Sequence, residues 1–106
     1  MTRAEATKTG NKLLKDVKSV ISGKWKLRVW ENLGWHCCVD SDIISIHINT
    51  YSWTKEDKTP YTCYIGNIWV EDGKTPKQAY KKAFKQFDTY RKSINEIHIL
   101  VKRVLT

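Results

Sequence analysis

The chain lacks the features that mark secreted and membrane-spanning proteins. It has three cysteines, an odd number, and Cys37 and Cys38 are adjacent, so they are poorly placed to pair with each other. No apolar run approaches the roughly 18 residues that a membrane span needs, and no apolar segment with a small-residue cleavage site follows the first residues. With two prolines and five glycines, the chain also has no linker or low-complexity tract. We therefore expect a reduced, cytoplasmic protein that has no membrane partner.

Acidic residues are also scarce, and the excess of positive charge is concentrated at the two ends. The 106 residues contain 19 Lys and Arg against 11 Asp and Glu, a formal net charge of +8. Residues 1–26 carry a net charge of +5, residues 27–75 carry −3, and residues 76–106 carry +6. This distribution predicts that a polyanionic partner approaches the ends of the chain, wherever the fold places them.

The spacing of apolar residues predicts one α+β domain over residues 1–106. A helical pattern runs from about Ala4 to Ser22, with residues 1–9 expected to be flexible. Alternating patterns separated by turn residues then predict an antiparallel sheet of three to four strands. The fourth strand, 61–70, contains a Gly66-Asn67 pair that we interpret as a bulge. A long helix begins at Pro76, and we expect both helices to lie on one face of the sheet.

The C-terminal helix carries a heptad seam, a stripe of side chains spaced alternately three and four residues apart. It comprises Tyr80, Ala83, Phe87, Tyr90, Ile94, Ile97, Val101 and Val104. Thirty helical residues span roughly 45 Å, which is longer than a four-stranded sheet requires. The last part of the seam therefore either packs on the first helix or protrudes and pairs with a second copy in a homodimer.

The same helix opens with a cluster of lysines. Thr75 is placed to cap it and Pro76 occupies its first position, so capping alone accounts for these two residues. Cations at a helix N-terminus oppose the helix dipole, and an anion bound there would offset that cost. The pattern predicts either phosphate contacts or a merely solvated basic face. The candidate nucleic-acid-binding residues are Lys74, Lys77, Lys81, Lys82, Lys85 and Lys92.

The stretch GKTPKQAYKKA resembles the last helix of double-stranded-RNA-binding domains, which opens with a lysine cluster that grips phosphates. The resemblance extends to the helix–sheet–helix order and implies a phosphate role for Lys77, Lys81 and Lys82. Pro76 and Tyr80 stand where that family has lysines, there is no Gly-Pro-x-His loop, and the sheet has an additional strand.

The size of the chain, with GWHCC and YIGNIWVEDGKTPKQAYKKAF, resembles small accessory proteins of phages and prophages. That class combines a Trp-rich sheet with a Gly-x-Thr-Pro turn and an alanine-containing helix. It includes inhibitors of host defences such as anti-CRISPR proteins. The resemblance implies a host protein or a nucleoprotein complex as partner.

A second candidate surface lies on the predicted sheet. The candidate partner-binding residues are Lys26, Arg28, Trp30, His47 and Trp53. Basic and aromatic side chains on a sheet can stack nucleic-acid bases, but Trp is also common at the centre of protein interfaces. Because the middle of the chain is net negative, we favour a protein contact or a partly covered face here over a platform for single-stranded nucleic acid.

Neither a metal site nor a catalytic site is predicted. Four potential metal ligands, His36, Cys38, His47 and Cys63, come from the sheet, but only the first two have a spacing typical of zinc ligands. The acidic residues flank turns, where turn geometry already explains them. We therefore expect a non-catalytic protein without a cofactor that engages nucleic acid or a nucleoprotein complex. The alternative is a protein–protein inhibitor of a host complex, and a small nuclease is the weakest candidate.

Overall fold

The protein consists of two helices and a five-stranded antiparallel sheet. The computed structural model describes residues 2–48 and 59–105. The elements are α1 (Arg3–Val20), β1 (Lys26–Glu31), β2 (Trp35–Ser41), β3 (Ile44–Ile48), β4 (Tyr61–Ile65), β5 (Trp69–Gly73) and α2 (Pro76–Leu105). The strands are hydrogen-bonded in the order β1-β2-β3-β4-β5, so the sheet is a meander. The predicted α+β class and element order are confirmed.

The sheet has one strand more than predicted. The segment 61–70, expected to be one strand with a bulge, folds as the β4–β5 hairpin, in which Ile65 pairs with Trp69. Gly66 and Asn67 both have positive φ angles, 60° and 58°. Two consecutive residues in this conformation reverse the chain instead of bending a strand.

Helix α1 begins closer to the N-terminus than predicted. The Thr2 hydroxyl accepts a hydrogen bond from the amide of Glu5 and donates one to its carboxylate, both at 3.1 Å. These two residues form a helix-capping pair at a spacing that stabilises an N-terminus. Residues 3–9, for which flexibility was expected, are therefore part of the helix.

The core lies between the sheet and both helices, as expected. Leu13 and Val17 of α1 and Ala79 and Ala83 of α2 join one buried cluster with the sheet residues Val39, Ile46, Cys63 and Ile65. A Cβ atom added at Gly73 would lie 2.4 Å from the backbone nitrogen of Ala79. The missing side chain at Gly73 therefore lets the first turn of α2 approach the sheet closely.

Helix α2 extends beyond the body of the protein. The molecule measures 60 × 29 × 26 Å, and the helix side chains become largely exposed toward the C-terminus. Trp69, at the start of β5, contacts Phe87 and Tyr90 with ring centroids 5.2 and 5.1 Å apart. The helix runs back along β5 and passes the end of the sheet near Tyr90. The end of the seam therefore protrudes from the body of the protein.

Candidate nucleic-acid-binding surface

The outer faces of both helices carry exposed lysines. Because α1 and α2 pack on the same face of the sheet, the sides that point away from the core form one layer. On α1, Lys8, Lys12 and Lys15 lie opposite the buried residues; on α2, Lys77, Lys81 and Lys85 do so. We call these six residues the lysine surface. The three lysines of α1 were not among the predicted site residues, although their helical spacing was visible in the sequence.

The two helices meet where α1 ends and α2 begins. An open groove of about 470 Å³ lies at this junction, with Asp16 and Ser19 on the side of α1 and Lys74 and Lys77 on the side of α2. The predicted candidate Lys74 therefore faces this junction. The junction therefore places the end of α1 beside the first lysines of α2.

The start of α2 is capped by its own side chains. The Thr75 hydroxyl accepts from the amide of Gln78 at 3.1 Å, and the Gln78 side chain accepts from the amide of Lys74 at 2.7 Å. The amide of Ala79 donates to the Thr75 carbonyl at 3.1 Å, and Pro76 has no N–H group to offer. Most first-turn amides therefore have partners. An anion at this position would be held by lysine side chains and not by a set of free backbone amides.

The six predicted lysines differ in their local partners. All are exposed. Lys92 forms an ion pair with Asp88 at 3.1 Å, and the Lys82 ammonium donates to the carbonyl of Asp72 at 3.2 Å. Within residues 2–48 and 59–105, no carboxylate forms an ion pair with Lys77, Lys81 or Lys85. These three lysines are the ones best placed to meet an external anion.

The opposite face of the sheet carries an aromatic cluster. Trp30 stacks on His36 with centroids 5.6 Å apart and meets the edge of His47 at the same distance. The guanidinium of Arg28 lies 4.9 Å from the centroid of the Trp30 ring, and His47 contacts Tyr64 at 4.9 Å. The structure thus brings together three of the predicted partner-binding residues, Arg28, Trp30 and His47. Lys26 is an exposed residue of the same strand, and Trp53 lies outside the described residues.

Ion pairing and burial fix the protonation states in this cluster. Arg28 holds Asp40 at 2.8 Å. Partial burial opposes ionisation of Asp40, but hydrogen bonds from Arg28 and Ser45 outweigh it and lower the pKa of that carboxyl. Burial, followed by the positive charge of Arg28, lowers the pKa of His47. Burial, assisted by the charge of Asp40, raises the pKa of Cys38 to about 11, so this thiol stays protonated at neutral pH.

The potential metal ligands are divided between the two faces of the sheet. Cys38 pairs with His47 on the face away from the helices, whereas Cys63 belongs to the buried core under the helices. Burial raises the pKa of Cys63 to about 12, which disfavours the thiolate that a metal would need. No three His, Cys, Asp or Glu side chains in the described part of the chain are placed to hold a metal ion.

The acidic residues near the turns make structural contacts. The Thr62 hydroxyl donates to the carboxylate of Asp72 at 2.5 Å, and the side-chain amide of Gln86 donates to the carboxylate of Glu71. With Asp40 paired to Arg28, these carboxylates connect neighbouring strands or the sheet and α2. Contacts of this kind account for the positions of these carboxylates.

Comparison with known proteins adds no relative. The chain matches no model of a protein family, no curated protein and no solved structure. Within the described residues, 2–48 and 59–105, no helix is long and apolar enough to cross a membrane.

Proposed function

We propose that this protein is a non-catalytic nucleic-acid-binding protein that contacts phosphates through its lysine surface. The observation that supports the proposal best is the packing of α1 and α2 on one sheet face, which joins two lysine-bearing helix faces into one layer. A positively charged layer with few internal ion pairs attracts any polyanion and gains affinity from the counterions that the polyanion releases. The α1 lysines, supplied by a separate basic segment of the sequence, extend the surface beyond a single helix.

The contacts would be of the kind that hold a backbone and do not read bases. Lysine is a flexible point charge that meets phosphate oxygens without reading a base edge. We therefore expect similar affinity for sequences of equal length and shape. The resemblance to phage accessory proteins suggests a nucleoprotein complex of a host cell as the natural target.

Two charge-matched variants test this function. The Lys81→Gln, Lys85→Gln variant removes two charges from the lysine surface, and the Lys24→Gln, Lys26→Gln variant removes two charges elsewhere. All four residues are exposed, so both variants should fold normally. Each phosphate contact contributes about 0.9 to the slope of log affinity against log salt on a DNA duplex. We expect the first variant to reduce that slope by about 1.8, with the second close to the wild type.

Equal effects of the two variants would show that only net charge matters, and no effect of the first would refute the phosphate role. A larger effect of the second would place the phosphate contacts on the side of Lys24 and Lys26 and refute the role of the lysine surface. The other candidate function is a protein contact through the sheet. That candidate is supported by the cluster of Arg28, Trp30 and His47, because Trp and Arg are enriched at the centres of protein interfaces. Under it, Trp30→Ala would abolish binding to a target protein while nucleic-acid affinity stayed unchanged.

A further inference from the structure

The end of α2 exposes an unusual amount of apolar surface. We call residues 94–104 the overhang, because they extend past the sheet. Within it, the exposed fractions are 56% for Ile97, 58% for Leu100, 49% for Val101 and 83% for Val104. An amphipathic helix normally buries its apolar stripe against another element. A free helical segment of about 11 residues is also marginal in water without tertiary contacts.

Helix α1 does not cover the overhang. Its apolar residues Leu13 and Val17 are 2% and 0% exposed because they pack into the core on the sheet. The seam residues of the overhang stay in solvent although α1 lies on the same side of the sheet. The overhang therefore needs a partner from outside the described fold.

We propose that this partner is a second copy of the same chain, with the two overhangs packed antiparallel across a two-fold axis. The seam continues through Ile94, Ile97, Val101 and Val104 with the spacing of three and four residues by which helices pair along a stripe. In such a pair, Ile97 of each copy lies opposite Val101 of the other. The pairing is self-complementary, as a two-fold interface requires.

The position of the sheet selects the antiparallel direction. Earlier in α2, the same seam faces the sheet through Ala83 and Phe87. A parallel partner helix would enter the space that the sheet occupies, so the two bodies would collide. An antiparallel partner helix pairs along the overhang, roughly 15 Å of helix, and its tip ends beside the body of the other copy.

The antiparallel overlap also covers apolar residues of the body. The tip of one helix would reach Tyr90 and the β4–β5 turn of the other copy, where Tyr90 is 52% and Ile68 is 73% exposed. With the overhang residues, these side chains present on the order of 600 Å² of apolar surface, approaching the roughly 800 Å² that each partner buries in a standard interface. This inference does not depend on nucleic-acid binding.

Sedimentation equilibrium of the purified chain tests the proposal directly. We expect the wild type to be dimeric at tens of micromolar and the Ile97→Glu, Val101→Glu variant to be monomeric. The matched control is Ile99→Glu, because Ile99 is 51% exposed in the same overhang but lies on the lysine side of α2, away from the seam. The control should remain dimeric. A monomeric wild type, or equal loss of dimer in both variants, would overturn the proposal.

Cysteine crosslinking tests the direction of pairing. In the antiparallel pair the two-fold axis passes near residue 99, so Leu100→Cys should form a disulfide between copies under mild oxidation. Two Val104→Cys residues would be about 15 Å apart along the helices, too far for a disulfide, which needs Cα atoms within about 7 Å. Efficient crosslinking of Val104→Cys would contradict the antiparallel arrangement. If the wild type is monomeric and binds anionic lipid vesicles through the overhang, the dimer proposal is wrong and the overhang binds a membrane surface instead.

Discussion

Trp25, which immediately precedes β1, packs on the helix side of the sheet, whereas Trp30, on β1, lies on the opposite face. Replacing each with alanine tests this assignment. Trp25 is 4% exposed, belongs to the core cluster, and donates from Nε1 to the carbonyl of Ile21 at 3.2 Å. Removing a buried Trp typically costs about 3–5 kcal/mol. Trp25→Ala also leaves the Ile21 carbonyl without this donor, so we expect a loss in the upper half of that range.

Trp30→Ala should cost much less, because Trp30 is half-buried. Its ring contacts with His36 and His47 each contribute about 0.5–1.5 kcal/mol in addition to the burial of the ring. The cation–π contact with the partly exposed Arg28 adds about 0.5–1 kcal/mol. Because Trp30 keeps part of its surface in solvent, we expect a loss of about 1.5–3 kcal/mol, below that of Trp25→Ala. Urea unfolding of both variants at one protein concentration measures the difference. Equal large losses would show that Trp30 is core and that the two faces of the sheet are assigned wrongly.

Three further predictions follow from particular contacts. Gly73→Ala should destabilise the protein by more than about 2 kcal/mol, because the added Cβ meets the backbone of Ala79; an unchanged urea midpoint would contradict the close approach. Thr75→Ala should cost about 1 kcal/mol by removing the cap of Gln78, while Thr75→Ser should restore most of it. Because the folded-state pKa of His47 is lowered by burial and Arg28, its contribution to stability is present above the ordinary histidine pKa and is lost as the pH falls from 7 toward 5. The His47→Gln variant should lose less free energy of unfolding over that pH range than the wild type. Identical pH profiles of stability would refute the lowered pKa of His47.

The order of elements could be predicted because helical and alternating spacings are local properties of the sequence. The length of α2 left two arrangements open for its end, packing on α1 or protrusion, and only the structure decides that the end protrudes. The fifth strand was missed because Gly66 and Asn67 suit either a bulge or a turn. Pairing between Ile65 and Trp69, which decides between them, depends on the packing of β5 under α2.

The burial of the second sheet face could not be predicted. Alternation along β2 places His36 and Cys38 on the sheet face away from the helices, yet both are buried, with Cys38 at 0% exposure. Cys38 lies between Arg28 and His47 in the register, so larger side chains from the neighbouring strands surround it. Such cover depends on strand pairing, which a single strand's pattern does not reveal.

The candidate lysines of α2 were predicted from helical spacing, but their ranking needed the structure. Lys82 donates a hydrogen bond to Asp72 of β5, and Lys92 forms an ion pair with Asp88 one helical turn earlier. The joining of the α1 lysines to the α2 lysines requires both helices to share one sheet face. That arrangement was expected, but the α1 lysines were not included in the predicted binding surface.

The salt dependence of binding by the wild type to a random-sequence DNA duplex, and to an RNA duplex of equal length, tests the central claim most directly. If Lys77, Lys81, Lys85 and one or more α1 lysines each meet a phosphate, the log–log slope on DNA should be about −3.5 or steeper. The affinity should change little when the base sequence is permuted. No measurable binding at about 50 mM salt, where phosphate contacts are strong, would contradict the account.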